Sequence, residues 1–137
     1  MVTDTSAVER FLIDVRRRFD RVEPDDLDAE VDAGALVVDI RPTENRVEDG
    51  ALPGAVVIER IHLEWRLDPS SPDHIPGADV GRKVIVVCNE GYASSLAAWN
   101  LRLLGVDGAT DLVGGFRAWR RRAAAHPAPD REHVPWP

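Results

Sequence analysis

Cys88 is the residue of this sequence with the clearest potential for chemistry. It follows the β-branched run KVIVV directly and opens the segment CNEGYASS. It is also the single cysteine in 137 residues, which excludes an internal disulfide, a CxxC redox pair and a zinc site built from several cysteines. Any thiol chemistry therefore uses Cys88 alone, together with a partner outside the chain.

The segment around Cys88 is predicted to favour a negatively charged sulfur. Residues 83–87 predict a buried parallel strand and residues 94–104 a helix, so the thiol lies between a strand end and a helix start. Open α/β sheets bind ligands beyond the carboxyl ends of their strands. The unpaired N–H groups and positive dipole end of a helix amino terminus, together with a nest of loop N–H groups, stabilise an anion there. These effects favour the thiolate, which is the nucleophilic form of cysteine.

Two further residues of this segment have predicted backbone roles. Gly91 is expected to let the chain turn tightly, and Ser94 is expected to be the N-cap of the following helix. The same pattern also fits a buried structural cysteine, which is a common state of a free thiol. The residues alone are compatible with both interpretations.

The composition is that of a single soluble globular domain, with 44% hydrophobic residues, 30% charged residues and a net charge of −7. The negative charge argues against nucleic acid as a main partner. No segment has the roughly 18 consecutive apolar residues of a membrane helix, and the amino terminus lacks the apolar core of a signal peptide. We therefore expect a cytoplasmic protein with no membrane partner, in a reducing compartment where a free thiol survives.

Alternating strands and helices predict an α/β domain with a central, mainly parallel sheet flanked by helices. Ser6 and Glu9 form a capping box in front of an amphipathic helix predicted over residues 6–19. The apolar stripe of that helix consists of Val8, Phe11, Leu12, Val15 and Phe19. Further strands are predicted over residues 35–40, 55–58 and 109–113, and further helical segments over residues 27–32, 61–67 and 116–125. The expected organisation is a helical extension (1–23) packed on a domain (24–125), with a proline-rich tail (126–137).

Four segments resemble the motifs of the rhodanese-like domain family. They are VVDIR at residues 37–41, DGALPGA at 49–55, CNEGYAS at 88–94 and LVGGFRAW at 112–119. The family counterparts are a first strand with an acidic residue shortly before an arginine, the turn Gly-His-Ile-Pro-Gly-Ala, the active-site loop Cys-x-x-Gly-x-Arg-Ser and a closing Gly-Gly-x-x-x-Trp. The motifs occur in order over about residues 24–122, so the chain is identified as a single-domain member of the family.

The resemblance implies the rhodanese-like three-layer α/β fold and sulfur transfer. The Cys88 thiolate would attack a sulfane sulfur donor such as thiosulfate and keep the outer sulfur as a persulfide, which a thiophilic acceptor such as cyanide or a thiol then removes. The loop that would hold this anion consists of Asn89, Glu90, Gly91, Tyr92, Ala93 and Ser94. With no second cysteine, the persulfide cannot form an internal disulfide and depends on an external acceptor.

Supporting residues are predicted at the same edge of the sheet. Asp39 and Arg41 are expected beside Cys88, either orienting the loop or forming an ion pair that holds the strand end. Gly114 and Gly115 are expected to let backbone approach the site closely. The four histidines have no ligand-like spacing, so no metal site is expected. No glycine-rich loop matches a nucleotide-binding pattern, and no cofactor is expected.

Three positions differ from the family motifs. Ala93 stands where an arginine is common, which removes a charged clamp for an anionic donor. Glu90 adds a carboxylate that repels thiosulfate and disfavours the thiolate if it points into the loop, and has little effect if it points outward. Ala51 replaces the turn histidine, with an expected effect on packing. The first two differences count against thiosulfate more than against persulfide chemistry, so a less charged donor or a protein-delivered persulfide is less affected.

Other functions also use a cysteine between a strand and a helix. A cysteine phosphatase requires an arginine at the position of Ser94 to bind phosphate oxygens, and an arsenate reductase usually requires further thiols, so both fit poorly. A catalytically weak or inactive rhodanese-like binding or regulatory module is the stronger alternative, because the loop lacks its arginine and contains Glu90. Sulfur transfer is favoured over it because Cys88 and the rest of the loop are present.

Overall fold

Four parallel strands form the centre of the protein, which a computed structural model describes over residues 5–125. The strands are β1 (Leu36–Asp39), β2 (Val56–Val57), β3 (Val84–Val87) and β4 (Ala109–Asp111), in the spatial order β2-β1-β3-β4. The α-helices are α1 (Ala7–Arg16), α2 (Leu27–Asp32), α3 (Thr43–Asp49), α4 (Leu63–Leu67), α5 (Ala93–Leu103) and α6 (Gly115–Ala125), and 3-10 turns cover Pro24–Asp26 and Arg60–His62. The predicted α/β class with a parallel sheet is confirmed. The predicted tail, residues 126–137, lies outside the described residues.

The central strands are buried because helices cover both faces of the sheet. On β3, Val84 and Val86 face one apolar cluster while Ile85 and Val87 face the other, as the two-residue period of a strand requires. Side chains of α1, α4 and α5 complete the first cluster, and side chains of α2 and α6 complete the second. Every residue of β1 and β3 is buried, which explains why these strands stand out in the sequence as apolar runs.

The amino-terminal helix is shorter than predicted. α1 begins after Ser6, whose side chain accepts a hydrogen bond from the Glu9 N–H as the capping box predicts. It ends at Arg16 rather than at residue 19, because the chain then turns to run beside β4. There the Val22 N–H donates to the Asp111 carbonyl at 3.0 Å.

The buried stripe of α1 is also narrower than predicted. Leu12, Val15 and Phe19 are buried, but Val8 and Phe11 are 59% and 48% exposed. α1 packs mainly against α5, which covers one side of it.

The remaining differences from the prediction concern short elements. α3 is not predicted by the sequence, because none of its residues is buried and it therefore has no apolar period. β2 covers Val56–Val57 instead of residues 55–58, and β4 covers Ala109–Asp111 instead of residues 109–113. β4 ends early because the chain turns towards the amino-terminal segment, where the Val113 N–H donates to the Val22 carbonyl.

The parallel register places Asp39 and Arg41 at the same edge of the sheet as Cys88. Asp39 pairs with Val87 across β1 and β3, and the Ile40 N–H donates to the Val87 carbonyl at 2.9 Å. Cys88 follows Val87 and therefore lies at the carboxyl end of a central strand, where open α/β sheets bind ligands.

A buried ion pair holds the end of β1. Arg41 and Asp39 are each 1% exposed, and Arg41 Nη2 lies 2.8 Å from Asp39 Oδ2. Arg41 also donates to the Gly50 carbonyl, and its guanidinium carbon lies 3.8 Å from the centre of the Phe116 ring. The two residues thus form the ion pair that the sequence suggests as one of their two roles.

Arg41→Met is expected to destabilise the fold strongly, because it leaves the Asp39 carboxylate buried without its partner. Removing one member of a buried ion pair typically costs about 3–5 kcal/mol. Lys83→Met is the control, since Lys83 and Glu30 form a pair whose side chains are 40% and 30% exposed, and such pairs contribute about 1 kcal/mol or less. Urea denaturation measures both free energies of unfolding, and equal losses in the two variants would contradict the role assigned to the buried pair.

Candidate active site

The Cys88 sulfur is held by backbone N–H groups of the loop that follows it. Cys88 is 8% exposed, and its Sγ accepts hydrogen bonds from the N–H of Gly91 at 3.1 Å and of Ser94 at 3.3 Å. The thiol donates to the Ser94 Oγ at 3.2 Å. Two N–H donors aimed at one sulfur favour a negative charge on it.

Ser94 hydrogen-bonds to the Cys88 sulfur and does not cap the helix. α5 begins at Ala93 with Tyr92 as its N-cap residue, so the prediction that Ser94 is the N-cap is wrong. The Ser94 N–H lies in the first helical turn, where N–H groups have no partner within the helix, and is therefore available to Cys88. The Ser94 hydroxyl donates to Asp111 Oδ2 at 2.7 Å, so its side chain links the thiol to a buried carboxylate.

Glycines bring the loop and the start of α6 into direct contact. Gly91 has φ +84°, and a Cβ atom built on it would lie 2.7 Å from the Gly114 nitrogen. A Cβ atom built on Gly115 would lie 2.5 Å from the Cys88 carbonyl oxygen. Real Cβ atoms do not approach so closely, so glycine is required on both sides of the contact. The predicted tight turn at Gly91 and the predicted close approach of the Gly114–Gly115 pair are both present.

This close approach lets α6 satisfy two carbonyl groups of the loop. The Phe116 N–H donates to the Cys88 carbonyl at 2.8 Å, and the Arg117 N–H donates to the Asn89 carbonyl at 3.1 Å. Both N–H groups lie in the first turn of α6, where they have no partner within the helix. The first turn of α6 therefore holds the loop from outside.

Glu90 points away from the sulfur. Its carboxylate forms an ion pair with the Arg117 guanidinium on α6, and the Glu90 side chain is 54% exposed. Of the two orientations that the sequence allows, the outward one is present. The carboxylate therefore does not face an anion held in the loop.

Two arginines reach the back of the loop from the amino-terminal segment. Arg16 Nη2 donates to the Gly91 carbonyl at 2.6 Å, and Arg21 Nη2 donates to the same oxygen at 3.1 Å. Arg21 also binds both carboxylate oxygens of Asp111, at 2.8 and 3.0 Å. Asp111 is fully buried and accepts a further hydrogen bond from the Ser95 Oγ at 2.7 Å.

Cys88 is one of the groups whose charge affects the pKa of Arg16. Burial and the neighbouring Arg21 lower the pKa of the Arg16 guanidinium, while Asp111, Tyr92 and Cys88 raise it in part. The guanidinium stays charged near neutral pH, because arginine is not deprotonated in proteins. The Arg16 guanidinium carbon also lies 5.5 Å from the centre of the Tyr92 ring, which is 60% exposed.

Sequence reasoning missed Arg16, Arg21 and Asp111. The arginines are separated from Gly91 by 75 and 70 positions, so no local spacing connects them with the loop. The run RRR that begins at Arg16 also fits the negative end of a helix dipole. One signal was present, because Asp111 is a charged residue inside a predicted strand of the sheet, and a charge that becomes buried requires a partner.

Two buried side-chain polar atoms have no hydrogen-bond partner within residues 5–125. They are Asn89 Oδ1 and Arg41 Nη1. Asn89 belongs to the loop, and Arg41 stacks on Phe116, whose N–H binds the Cys88 carbonyl. Unpaired buried polar atoms are exceptional because each costs about 1–3 kcal/mol.

Neither a metal cluster nor a membrane helix occurs in the described part of the chain. Within residues 5–125, no group of three or more His, Cys, Asp or Glu side chains is placed to hold a metal ion. The same residues contain no helix that is long and apolar enough to cross a membrane.

The sequence is similar to proteins of one known family. The family model of the rhodanese-like domain matches residues 23–122. The thiosulfate sulfurtransferase GlpE of Stutzerimonas stutzeri (strain A1501) is 35% identical over 102 residues, which are 74% of this chain and 85% of the relative. The protein of the same name from Pseudomonas fluorescens (strain SBW25) is 33% identical, with the same coverage of both chains.

Solved structures share the fold. A protein of unknown function from Rhodopseudomonas palustris CGA009, described as a possible tyrosine phosphatase, is 28% identical, with a TM-score of 0.76 over 90% of this chain and 96% of that one. The human single-domain sulfurtransferase TSTD1 is 25% identical, with a TM-score of 0.62 over 74% of this chain and 96% of that one. These neighbours support the three-layer α/β fold expected from the sequence.

Gly115→Ala is expected to loosen the contact between α6 and the loop, because the added Cβ would lie 2.5 Å from the Cys88 carbonyl oxygen. The φ of +64° adds about 1–2 kcal/mol of backbone cost for a residue with a side chain. The readout is amide hydrogen exchange at Phe116 and Arg117, whose N–H groups bind the loop carbonyls, and both are expected to exchange faster.

Gly54→Ala is the control for this experiment. Gly54 has a similar φ of +78°, but a Cβ atom there would meet nothing within 4 Å. The Gly54→Ala protein is expected to be less stable, but its Phe116 and Arg117 amides are not expected to exchange selectively faster. Unchanged protection at both amides in Gly115→Ala would show that the close contact does not hold the loop.

Proposed function

This chain belongs to the rhodanese-like domain family, and we propose that it is a sulfurtransferase that carries a sulfane sulfur as a persulfide on Cys88. The observation that carries the proposal is the position of the Cys88 Sγ, which accepts hydrogen bonds from the Gly91 and Ser94 N–H groups at the start of α5. Sequence similarity supports the activity, because relatives named thiosulfate sulfurtransferase match over most of their length.

The proposed reaction has two substitution steps at sulfur. The Cys88 thiolate attacks the outer sulfur of thiosulfate, the sulfur–sulfur bond of the donor breaks, and sulfite leaves with the bonding electrons. A thiophilic acceptor such as cyanide or a thiolate then attacks the outer sulfur of the persulfide, and Cys88 leaves as the thiolate. The attacking thiolate and the persulfide are both anions, so the same N–H donors suit both forms.

The second step requires an acceptor from outside the chain, because Cys88 is the single cysteine. The residues from Asn89 to Ser94 are proposed to form the loop that meets donor and acceptor, since they directly follow Cys88 and include both N–H donors to its sulfur. Tyr92 and Ala93 are exposed at the start of α5, which suits them to meet an incoming molecule. Asp39 and Arg41 support the neighbouring strand end.

The proposed organisation is a rhodanese-like domain of residues 24–125 with an amino-terminal extension, 1–23, packed on it and a tail, 126–137. The packing of α1 on α5 supports this division. The proposed location is the cytoplasm, because a single free cysteine suits a reducing compartment.

Thiosulfate is included among the proposed donors. The outward orientation of Glu90 removes one objection to a dianionic donor, since its carboxylate is paired with Arg117. The loop still has alanine at position 93 where an arginine would attract a dianionic donor. Persulfides of lower charge are therefore included as donors as well.

A phosphatase activity is not favoured, although one structural neighbour is described as a possible tyrosine phosphatase. Phosphate binding in a cysteine loop of that kind uses an arginine where this chain has Ser94. Here the Ser94 hydroxyl donates to Asp111, and the nearby Arg16 and Arg21 donate to the Gly91 carbonyl. Their guanidinium groups are therefore engaged behind the loop.

Incubation with thiosulfate is expected to add one sulfur to Cys88, detected by mass spectrometry of the intact protein, and cyanide is expected to remove it as thiocyanate. Cys88→Ser is expected to gain no sulfur and to form no thiocyanate. Polysulfide and glutathione persulfide extend the donor panel. A folded protein that gains no sulfur from any of the three donors would refute the proposed activity and favour the non-catalytic binding module.

Glu90→Gln is expected to change the rate of sulfur loading from thiosulfate by less than about fivefold, because the carboxylate is exposed and already paired. Glu9→Gln, which removes a carboxylate from the exposed first turn of α1, controls for the change in net charge. The measurement is the second-order rate constant for loading of Cys88. An increase of more than tenfold in Glu90→Gln alone would show that this carboxylate faces the donor.

A further inference from the structure

Two arginines that donate to the backbone of the cysteine loop come from outside the segment that the family model matches. That match begins at residue 23, whereas Arg16 is the last residue of α1 and Arg21 lies in the connection that follows. Within the loop, residues 88–94 contain no basic residue. The amino-terminal extension therefore adds a feature that the family motifs do not contain.

Both arginines act on the same atom, the Gly91 carbonyl oxygen. It accepts hydrogen bonds from Arg16 Nη2 at 2.6 Å and from Arg21 Nη2 at 3.1 Å. The described peptide bonds are all trans, so the N–H of Tyr92, on the same peptide group, points away from the arginines. Rotation of this peptide group would break both hydrogen bonds and disturb the loop whose Gly91 and Ser94 N–H groups bind the sulfur. The two guanidinium groups oppose that rotation.

The arginines are themselves fixed by buried partners. Arg21 is held by both oxygens of Asp111, and Arg16 Nε donates to the Ser95 Oγ at 3.1 Å. Asp111 also accepts hydrogen bonds from the hydroxyls of Ser94 and Ser95. Two guanidinium groups facing one carboxylate leave an excess of one positive charge directly behind the sulfur loop.

We propose that Arg16 and Arg21 are positioning residues of the sulfur site, and that Arg16 supplies the attraction for anionic reagents that the loop lacks at Ala93. The proposal deepens the proposed function and rests on it for the identity of the natural donor. It predicts that the amino-terminal extension is part of the active site. Arg21→Met would leave the buried Asp111 without the guanidinium that binds both of its oxygens, so Arg16 is the residue to test.

The test compares alkylation of Cys88 by iodoacetate, an anion, and by iodoacetamide, its neutral counterpart, at one pH. The ratio of the two rate constants reports attraction of an anion to the sulfur, and it cancels changes in thiolate content that affect both reagents equally. Arg16→Met and Arg16→Gln are expected to lower this ratio at least about threefold, which is the effect of one unit charge acting across about 6 Å of water. Arg16→Lys keeps the positive charge, so its ratio of rate constants is expected to stay close to that of the wild type.

Arg17→Met is the matched control, because it removes the same charge from the neighbouring, exposed position at the end of α1. It is expected to change the ratio by less than half as much as Arg16→Met. Added salt is expected to reduce the difference between wild type and Arg16→Gln, as screening requires. An unchanged ratio in folded Arg16→Gln and Arg16→Met would overturn the proposal.

The alkylation ratio also separates this proposal from the proposed function. A protein that takes up no sulfur from any donor, but whose ratio falls in the Arg16 variants, would refute sulfur transfer and leave the role of Arg16 standing. A protein that takes up sulfur from thiosulfate at the wild-type rate in every Arg16 variant, with an unchanged ratio, would refute the role of Arg16 alone.

Discussion

The hydrogen bonds from the Gly91 and Ser94 N–H groups to the Cys88 sulfur are the interaction on which the rest of the site depends. A short loop that turns its N–H groups inward must turn carbonyl groups outward, and buried carbonyl groups require donors of their own. The Cys88 and Asn89 carbonyls receive theirs from the first turn of α6, and the Gly91 carbonyl receives its donors from the amino-terminal segment. The carbonyl groups of this one loop therefore bind α6 and the amino-terminal segment, which are distant from it and from each other in sequence.

This inward and outward arrangement gives the site its electrostatic character. Two N–H groups of the loop point to the sulfur, and three of its carbonyl groups point to donors outside it, an arrangement that suits both the attacking thiolate and the persulfide. The carboxylates of Glu90 and Asp111 do not oppose this arrangement. Glu90 points outward to Arg117, and Asp111 is bound by Arg21 and by two serine hydroxyls.

Those parts of the structure that depend on local pattern could be predicted from the sequence. The strand that ends at Cys88, the turn at Gly91 and the close approach of Gly115 each leave a local signature of residue type and spacing. The role of Ser94 was misjudged because a serine before a helix normally caps it, and only the tertiary contact with Asp111 assigns its hydroxyl elsewhere. The direction of Glu90 depends on α6, and the positions of Arg16 and Arg21 depend on where α1 ends. None of these contacts is encoded by neighbours in the chain.

The central claim is that backbone N–H groups hold the sulfur, and NMR of ¹⁵N-labelled protein before and after sulfur loading tests it most directly. An N–H that donates to an anion responds to the charge and position of that anion. With loading confirmed by mass, Gly91 and Ser94 are predicted to show the largest changes in amide proton shift, and Cys88→Ser is predicted to show none. Loaded protein in which the Gly91 and Ser94 amides keep their shifts, while amides elsewhere move, would contradict the claim.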